Sequence, residues 1–146
     1  MNNLGFLGAG LVMGISALGS AIGISIAGTA TIGAWKRCYK ANKPAPMLML
    51  AFAGAPLTQT IYGYILMLQM SNALISGAAE GVKLLALGIG SGIAIAASAV
   101  AQGKAGAAGS DALSDTGKGF ANYIAVVGIC ETVALFVMVL SITSLG

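Results

Sequence analysis

The sequence predicts an all-α membrane protein with four transmembrane helices arranged as two fused helical hairpins. Three observations indicate this fold. Of the 146 residues 58% are hydrophobic, only 8% are charged, and the charges cluster in short segments between long apolar runs. This composition lies far outside that of soluble globular domains. Hydrocarbon is therefore the expected solvent for most of the chain.

Four stretches of the chain contain no charged side chain. They run over residues 1–35, 44–79, 84–103 and 119–130, and the last continues beyond Glu131 as an apolar segment. About 20 apolar residues suffice to cross the hydrocarbon core, so each stretch can supply one span. Four crossings place both termini on one side of the membrane. No positive residue precedes the first stretch, so we expect it to be retained as a helix and not removed as a signal peptide.

Short polar connections separate the predicted spans. They cover residues 36–46, 77–83 and 109–119. The basic residues of the first connection, which has no acidic residue, are Lys36, Arg37, Lys40 and Lys43. The positive-inside rule therefore predicts that this loop is cytoplasmic, and parity places the third connection on the same side with both termini outside. We expect a multi-pass protein of the cell membrane, in which the basic loop can also bind anionic lipid headgroups.

The two halves of the sequence look like copies of each other. Pro56-Leu57-Thr58 aligns with Cys130-Glu131-Thr132 at an offset of 74 residues, and the same offset pairs Gly28 with Gln102. We therefore divide one membrane domain, residues 1–146, into a first hairpin (1–76) and a second hairpin (77–146). Leu57 stands where the second hairpin has its carboxylate. One acidic side chain then serves all four helices.

Small residues at spacings of four mark the first and third helices. They are Gly10 and Gly14, Gly19 and Gly23, Gly88 and Gly92, and then Ala99, Gly103 and Ala107. Such spacing lets helix backbones approach closely in lipid, where hydrophobicity gives helices no reason to associate. The pattern fits a tightly curved, self-repeating assembly and packing within one monomer equally well.

Glu131 is the strongest functional candidate because it lies in the middle of the last span. A carboxylate at the centre of a span costs at least ~2.5 kcal/mol even on insertion scales, so it needs a partner. That partner can be a proton, a bound cation or Lys104 on the preceding helix. A structural ion pair with Lys104 is the simpler alternative, but intramembrane acids usually mark ion pathways.

The second helix carries a polar face that apolar packing does not require. Its residues, spaced by three or four, are Ala55, Thr58, Gln59 and Tyr62. Pro56 cannot donate an N–H and disturbs the preceding turn, which frees a backbone carbonyl, strictly that of Phe52. Taken singly, these side chains could instead bond their own helix, link helices or fill space.

Gln102 completes the set, because a turn near Thr116 or Gly117 places it at the depth of Glu131. The collected groups are then a carboxylate, amide and hydroxyl oxygens and a loosened carbonyl. Oxygen ligands with a single negative charge suit a hard monovalent cation, whereas a transition metal prefers imidazole or thiolate. We therefore expect Na⁺ and no organic cofactor.

The composition gives little support for an enzyme. The chain has no histidine, no nucleophile beside a plausible base and no phosphate-cradling G-x-x-x-x-G-K-[ST] loop. We expect a membrane transport subunit that is not catalytic by itself and has no nucleic-acid partner.

Three segments together carry a family resemblance: Ala55-Pro-Leu-Thr-Gln-Thr-Ile-Tyr-Gly63, Ala101-Gln-Gly-Lys104 and Cys130-Glu-Thr132. They resemble the proteolipid subunit, also called the K or c subunit, of prokaryotic V-type and A-type rotary ATPases. The resemblance implies a rotor ring of identical four-helix subunits that turns against a stator membrane subunit and joins central-stalk subunits. Each subunit would carry one ion on its glutamate.

In the sodium-transporting members, the ligands match Thr58, Gln59, Gln102, Glu131 and the carbonyl of the residue before the proline, here Ala55. Tyr62 matches a tyrosine that hydrogen-bonds the glutamate. The family often has a leucine at the position of Ala55, and the resemblance selects Ala55 where proline chemistry selects Phe52. Three alternatives stay open: the same subunit carrying H⁺, a small oligomeric channel or carrier without ATPase partners, and a purely structural scaffold.

Overall fold

The computed structural model describes residues 2–145, and almost all of them are helical. The helices are α1 (Asn2–Lys40), α2 (Met49–Gly54), α3 (Thr58–Ile75), α4 (Gly81–Thr116) and α5 (Phe120–Thr143), with a 3₁₀ turn, Ala55–Leu57, between α2 and α3. No strand occurs among residues 2–145. The all-α prediction is therefore confirmed. Helices α1, α4 and α5 are long and apolar enough to cross a membrane, which supports a multi-pass membrane protein.

The second predicted span is divided at Pro56. Because proline lacks an N–H and crowds the preceding turn, the α-helical hydrogen bonding gives way to a 3₁₀ turn at this point. The pieces on either side have 6 residues (α2) and 18 residues (α3). They follow each other without a loop. A fourth crossing made by α2, the turn and α3 together stays a prediction.

The polar connections are shorter than the sequence predicts. Helix α1 continues to Lys40, and α4 runs from Gly81 to Thr116, so residues 36–40, 81–83 and 109–116 of the predicted loops are helical. With 39 and 36 residues, α1 and α4 are about 54–58 Å long, well beyond the ~30 Å hydrocarbon core. The charged residues of the segments 36–40 and 111–115 therefore sit on helix ends that project beyond the apolar spans.

Helices α1 and α4 pack against each other most extensively, with their backbones in contact at glycines. A Cβ added at Gly103 would lie against the backbone of Gly23, and one added at Gly88 would lie against the carbonyl of Gly8. This is the close approach predicted from the small-residue spacing. Helices α3 and α5 pack on the outside of this pair, and α3 contacts α1, α4 and α5.

The two ends of the bundle differ in polarity. At one end, the Arg37 guanidinium on α1 pairs with Asp111 on α4 and lies 3.9 Å from Asp115. At the other end, Lys83 donates to the carbonyl of Ser144 at 2.7 Å. The first and third connections therefore share one end, as parity predicts. Which side of the membrane this end faces stays a prediction.

Candidate functional site

The predicted site residues lie between two apolar clusters. One cluster, toward the 76–80 turn, includes Leu66, Ile95 and Ala134. The other, toward the 41–48 loop, includes Phe52 and Val127. A layer of polar side chains from α3, α4 and α5 separates them. This polar layer is the only place where these three helices bring a carboxylate and amides together within residues 2–145.

Glu131 lies on α5 at the edge of this layer and is partly buried. Its Oε1 accepts a hydrogen bond from the Tyr62 hydroxyl at 2.6 Å, and its Oε2 accepts one from the Gln102 amide at 3.1 Å. Within residues 2–145 the side-chain ion pairs involve Arg37, and exposed Lys104 does not pair with Glu131. The structural alternative of a Glu131–Lys104 pair is therefore not what the structure shows.

Gln102 is fully buried and connects all three helices. Its Nε2 donates to the Val127 carbonyl and to Glu131, both at 3.1 Å. Its Oε1 accepts from the Gln59 amide at 2.9 Å. The hydrogen bond between Gln102 and Glu131 confirms the prediction that the two side chains lie at the same depth.

The α3 residues extend the same network away from the carboxylate. Gln59 is also fully buried, and its Oε1 accepts from the Thr58 hydroxyl at 3.2 Å. The Thr58 hydroxyl also lies 3.1 Å from the Ala55 carbonyl. The network thus runs from Ala55 through Thr58, Gln59 and Gln102 to Glu131, and ends at Tyr62. All six residues selected from the sequence are brought together.

The two readings of the proline turn can be compared directly. The Ala55 carbonyl accepts from the Thr58 backbone N–H and lies 3.1 Å from the Thr58 hydroxyl, so it adjoins the network. The Phe52 carbonyl instead faces Gly106 on α4, one turn further toward the 41–48 loop, which marks the loop end of the bundle. The geometry connects Ala55 and not Phe52 to the polar layer. The role of either carbonyl as an ion ligand stays a prediction.

Sequence reasoning missed Ser98. This serine is buried on α4, donates to the Cys130 carbonyl at 2.6 Å and lies 3.3 Å from the Gln59 amide nitrogen. The available signal was its spacing, since Ser98 precedes Gln102 by one helical turn and shares its face. A serine in a helix rich in small residues reads as packing, so the signal is weak.

The arrangement is suited to holding a small charged species away from water. Three helices and the 3₁₀ turn supply one carboxylate, two buried amides, three hydroxyls and the Ala55 carbonyl, each linked to the next by a hydrogen bond. In a low-dielectric setting such dipoles can replace a hydration shell, while an uncompensated carboxylate is strongly disfavoured. The site can therefore neutralise Glu131 with a proton or a dehydrated cation.

Comparison with known families agrees with this location. Residues 85–143 match the sequence model of the family of ATP synthase C subunits. The matched segment includes Ser98, Gln102 and Glu131. It begins after α3, so the α3 side chains of the site lie outside it. No curated protein matches the chain significantly. The match covers 59 of the 146 residues, so it is a likeness to ATP synthase C subunits over α4 and α5.

Proposed function

We propose that this chain is the ion-carrying proteolipid subunit of a V-type or A-type rotary ATPase or ATP synthase, and that it binds one Na⁺ at Glu131. The observation that carries the proposal is the continuous polar network from the Ala55 carbonyl to Glu131, which lies between two apolar clusters and has two fully buried amides at its centre. The proposed ligands are Ala55, Thr58, Gln59, Gln102 and Glu131, with Tyr62 holding the carboxylate. Four crossings per chain complete the proposed topology.

Transport follows from the position of Glu131 at the surface of the bundle. Ile129 and Val133 on either side of it are 67% and 53% exposed, so the carboxylate borders the face that meets lipid. A charged carboxylate crosses lipid at high cost, whereas a neutral ion–carboxylate pair does not. Glu131 therefore takes an ion from one half-channel, turns through lipid neutralised, and releases the ion where a stator cation displaces it.

The proposed ring of identical subunits is supported by glycines of α1 that pack against nothing within the chain. Gly19 and Gly23 pack against α4 within the chain, whereas Gly10 and Gly14 face open space on the other side of α1. One small-residue face thus serves internal packing and another is available to a neighbouring copy. The proposed partners are further copies, the stator membrane subunit, the central-stalk subunits and lipid.

The proposed orientation places the loop end in the cytoplasm. Lys36, Lys40 and Lys43 are exposed there, beside Arg37 and its acidic partners. A positive rim of this kind meets the positive-inside rule and suits an acidic shaft or anionic lipid.

Proton transport by the same rotor is the nearest rival, and one observation favours it. The network is already closed by hydrogen bonds among protein groups, with Gln102 presenting its nitrogen to Glu131. A proton needs only the carboxylate and one acceptor. The number of oxygens collected at one depth nevertheless exceeds that need, and it favours a dehydrated cation.

Carbodiimide labelling of the purified protein separates these possibilities. We expect Na⁺ to slow the modification of Glu131 at alkaline pH, and protons to weaken this protection as pH falls because they compete for the same carboxylate. Glu80, which is exposed on the 76–80 turn, is the internal control whose labelling sodium leaves unchanged. Equal labelling of Glu131 with and without sodium at alkaline pH would contradict the sodium site.

A channel or carrier without ATPase partners makes a different prediction. Purified particles in vesicles would then conduct sodium passively in the absence of any soluble ATPase. The proposed rotor subunit does not conduct alone, because the ion must be delivered and removed by a stator. A passive flux that Glu131→Gln abolishes would favour the channel.

A further inference from the structure

We infer that Ser98 is a positioning residue of the ion site, which fixes the Gln59 amide with its oxygen directed toward Thr58. The inference rests on the proposed function, because it concerns how the same site receives sodium. It starts from the two contacts of the Ser98 hydroxyl, to the Cys130 carbonyl at 2.6 Å and to Gln59 Nε2 at 3.3 Å.

The direction of these hydrogen bonds follows from the inventory of donors. A backbone carbonyl can only accept, so the single proton of Ser98 points to Cys130 on α5. The Ser98 oxygen can then only accept from its other neighbour. Gln59 therefore has to present its amide nitrogen to Ser98, and its oxygen points the other way, to the Thr58 hydroxyl. The Thr58 proton is available to this oxygen because the Ala55 carbonyl already accepts the Thr58 backbone N–H.

Gln102 is oriented in the same manner by a second carbonyl of α5. Its Nε2 donates to the Val127 carbonyl, which directs its Oε1 to Gln59. The two hydrogens of Gln59 Nε2 thus have two acceptors, Ser98 and Gln102. Backbone carbonyls of α5 set the polarity of both amides, directly for Gln102 and through Ser98 for Gln59.

Sodium binding makes Ser98 more important. As Gln102 Oε1 turns to the ion, Gln59 Nε2 loses one of its two acceptors, and Ser98 is the acceptor that remains. Gln59 is fully buried, so an N–H without an acceptor there is costly. Without Ser98 nothing fixes the polarity of the Gln59 amide, and a reversed amide would present N–H where the ion needs oxygen. Ser98 therefore raises the affinity of the loaded site.

The chain offers a matched control for Ser98. Ser91 lies two turns earlier on α4, and the two serines are 5% and 4% exposed, but the Ser91 hydroxyl donates to the Leu87 carbonyl of its own helix. Ser98→Ala and Ser91→Ala remove the same atom at similar burial. Ser98→Cys keeps the shape and leaves a weak donor. All three are small changes that leave the helix packing intact.

The first readout is the sodium concentration that half-protects Glu131 from carbodiimide in the purified protein. We expect it to rise about tenfold in Ser98→Ala, roughly the effect of one lost hydrogen bond at a buried group. Ser98→Cys should fall between Ser98→Ala and the unmodified chain, and Ser91→Ala should stay within about twofold, since it leaves the site unchanged. A Ser98→Ala value within that same range, or an equal rise in Ser91→Ala, would overturn the inference.

The second readout needs no sodium and separates failure of the inference from failure of the proposed function. The chain has three glutamines, of which Gln69 is exposed and serves as the reference for rapid exchange. With ¹⁵N-labelled glutamine, we expect Ser98→Ala to speed hydrogen exchange of the Gln59 side-chain amide, and Ser91→Ala to leave it unchanged.

The two readouts together assign each outcome. Absent sodium protection in the unmodified chain refutes the sodium site, while faster Gln59 exchange in Ser98→Ala still supports the positioning role. Unchanged Gln59 exchange in Ser98→Ala refutes the positioning role even if sodium protects Glu131.

Discussion

The two hairpins have similar helices but opposite chemistry at the depth of the site. In the second hairpin, Gln102 is fully buried and bonded to Glu131. At the equivalent positions of the first hairpin, 74 residues earlier, Gly28 faces open space and Leu57 is 54% exposed. The first hairpin therefore has neither the acid nor the amide that would hold it.

On the face that carries Gln59 and Tyr62, the first hairpin is polar and the second is apolar. Gln59 and Tyr62 reach the site, whereas their counterparts on α5, Val133 and Phe136, are 53% and 64% exposed apolar side chains. Each half thus supplies what the other lacks, and the polar groups meet at one junction of α3, α4 and α5. The chain thus has one complete site at this junction, with groups from both halves, instead of a partial site in each half. Replacing residues of one half by their counterparts in the other tests this comparison.

Exchanging the carboxylate between the halves should have the largest effect. On the proposed function, we expect the double variant Glu131→Leu with Leu57→Glu to lose sodium uptake to background in vesicles that contain the whole ATPase. The residue equivalent to Gln102 in the first hairpin is Gly28, so the relocated carboxylate would have no amide there to accept from. Glu80→Leu, on an exposed turn, should keep uptake. Substantial uptake by the exchanged variant would show that the halves are equivalent.

The second-largest effect is expected from replacing Gln59 on α3 by valine, the residue at the equivalent position 133 of α5. This change should weaken sodium binding. Gln59→Val removes contacts to Thr58, Ser98 and Gln102, so we expect a 30- to 100-fold higher half-protecting sodium concentration, or roughly 2–3 kcal/mol. The control is Gln69→Val, at an exposed position of the same helix. Similar shifts in both variants would mean that the helix, and not the amide, is responsible.

Tyr62→Phe, which again introduces the α5 counterpart, should have a smaller effect. It removes the 2.6 Å hydrogen bond to Glu131, worth about 1.5 kcal/mol for a charged acceptor, or about tenfold in sodium affinity. Carbodiimide protection at alkaline pH measures it. Tyr64→Phe is the matched control because Tyr64 is 46% exposed. An unchanged sodium affinity in Tyr62→Phe would indicate a packing role.

The smallest expected effect is a gain in stability at Ser20. Its buried hydroxyl has no hydrogen-bond partner among residues 2–145, and its counterpart 74 residues later is already alanine, Ala94. We expect Ser20→Ala to raise the free energy of unfolding by about 1 kcal/mol in mixed micelles.

Ser16→Ala is the control for Ser20, since the Ser16 hydroxyl donates to Val12 at 2.6 Å and its loss brings no gain. If Ser20→Ala destabilised the protein more than Ser16→Ala, the Ser20 hydroxyl would have a partner, such as a water molecule.

The sequence predicted most of the site because its members are chemically out of place. Glu131, Gln59 and Gln102 are polar groups in apolar spans, and the position of the turn gave their common depth. Ser98 escaped because serine is common in tightly packed helices and its role depends on which atom faces it. Hydrogen-bond direction is a property of three dimensions that spacing along one helix does not reveal.

The fold was predicted in class but not in its details. Apolar length sets where spans lie, yet charges do not end helices, so α1 and α4 extend through residues assigned to loops. The acidic residues of the third connection gave no orientation by themselves. They pair with Arg37, a contact between distant segments that no local pattern indicates.

The contacts at the loop end have a mechanical consequence. Arg37 binds Asp111 and donates to Ser114 at 2.9 Å, and one to two turns deeper the Thr31 and Ser110 hydroxyls meet at 2.8 Å. Below them the glycine contacts leave no room for α1 and α4 to slide past each other. We therefore expect the pair to resist shear. In the proposed rotor, a torque applied at the loop end would then reach the level of Glu131 with little sliding between α1 and α4.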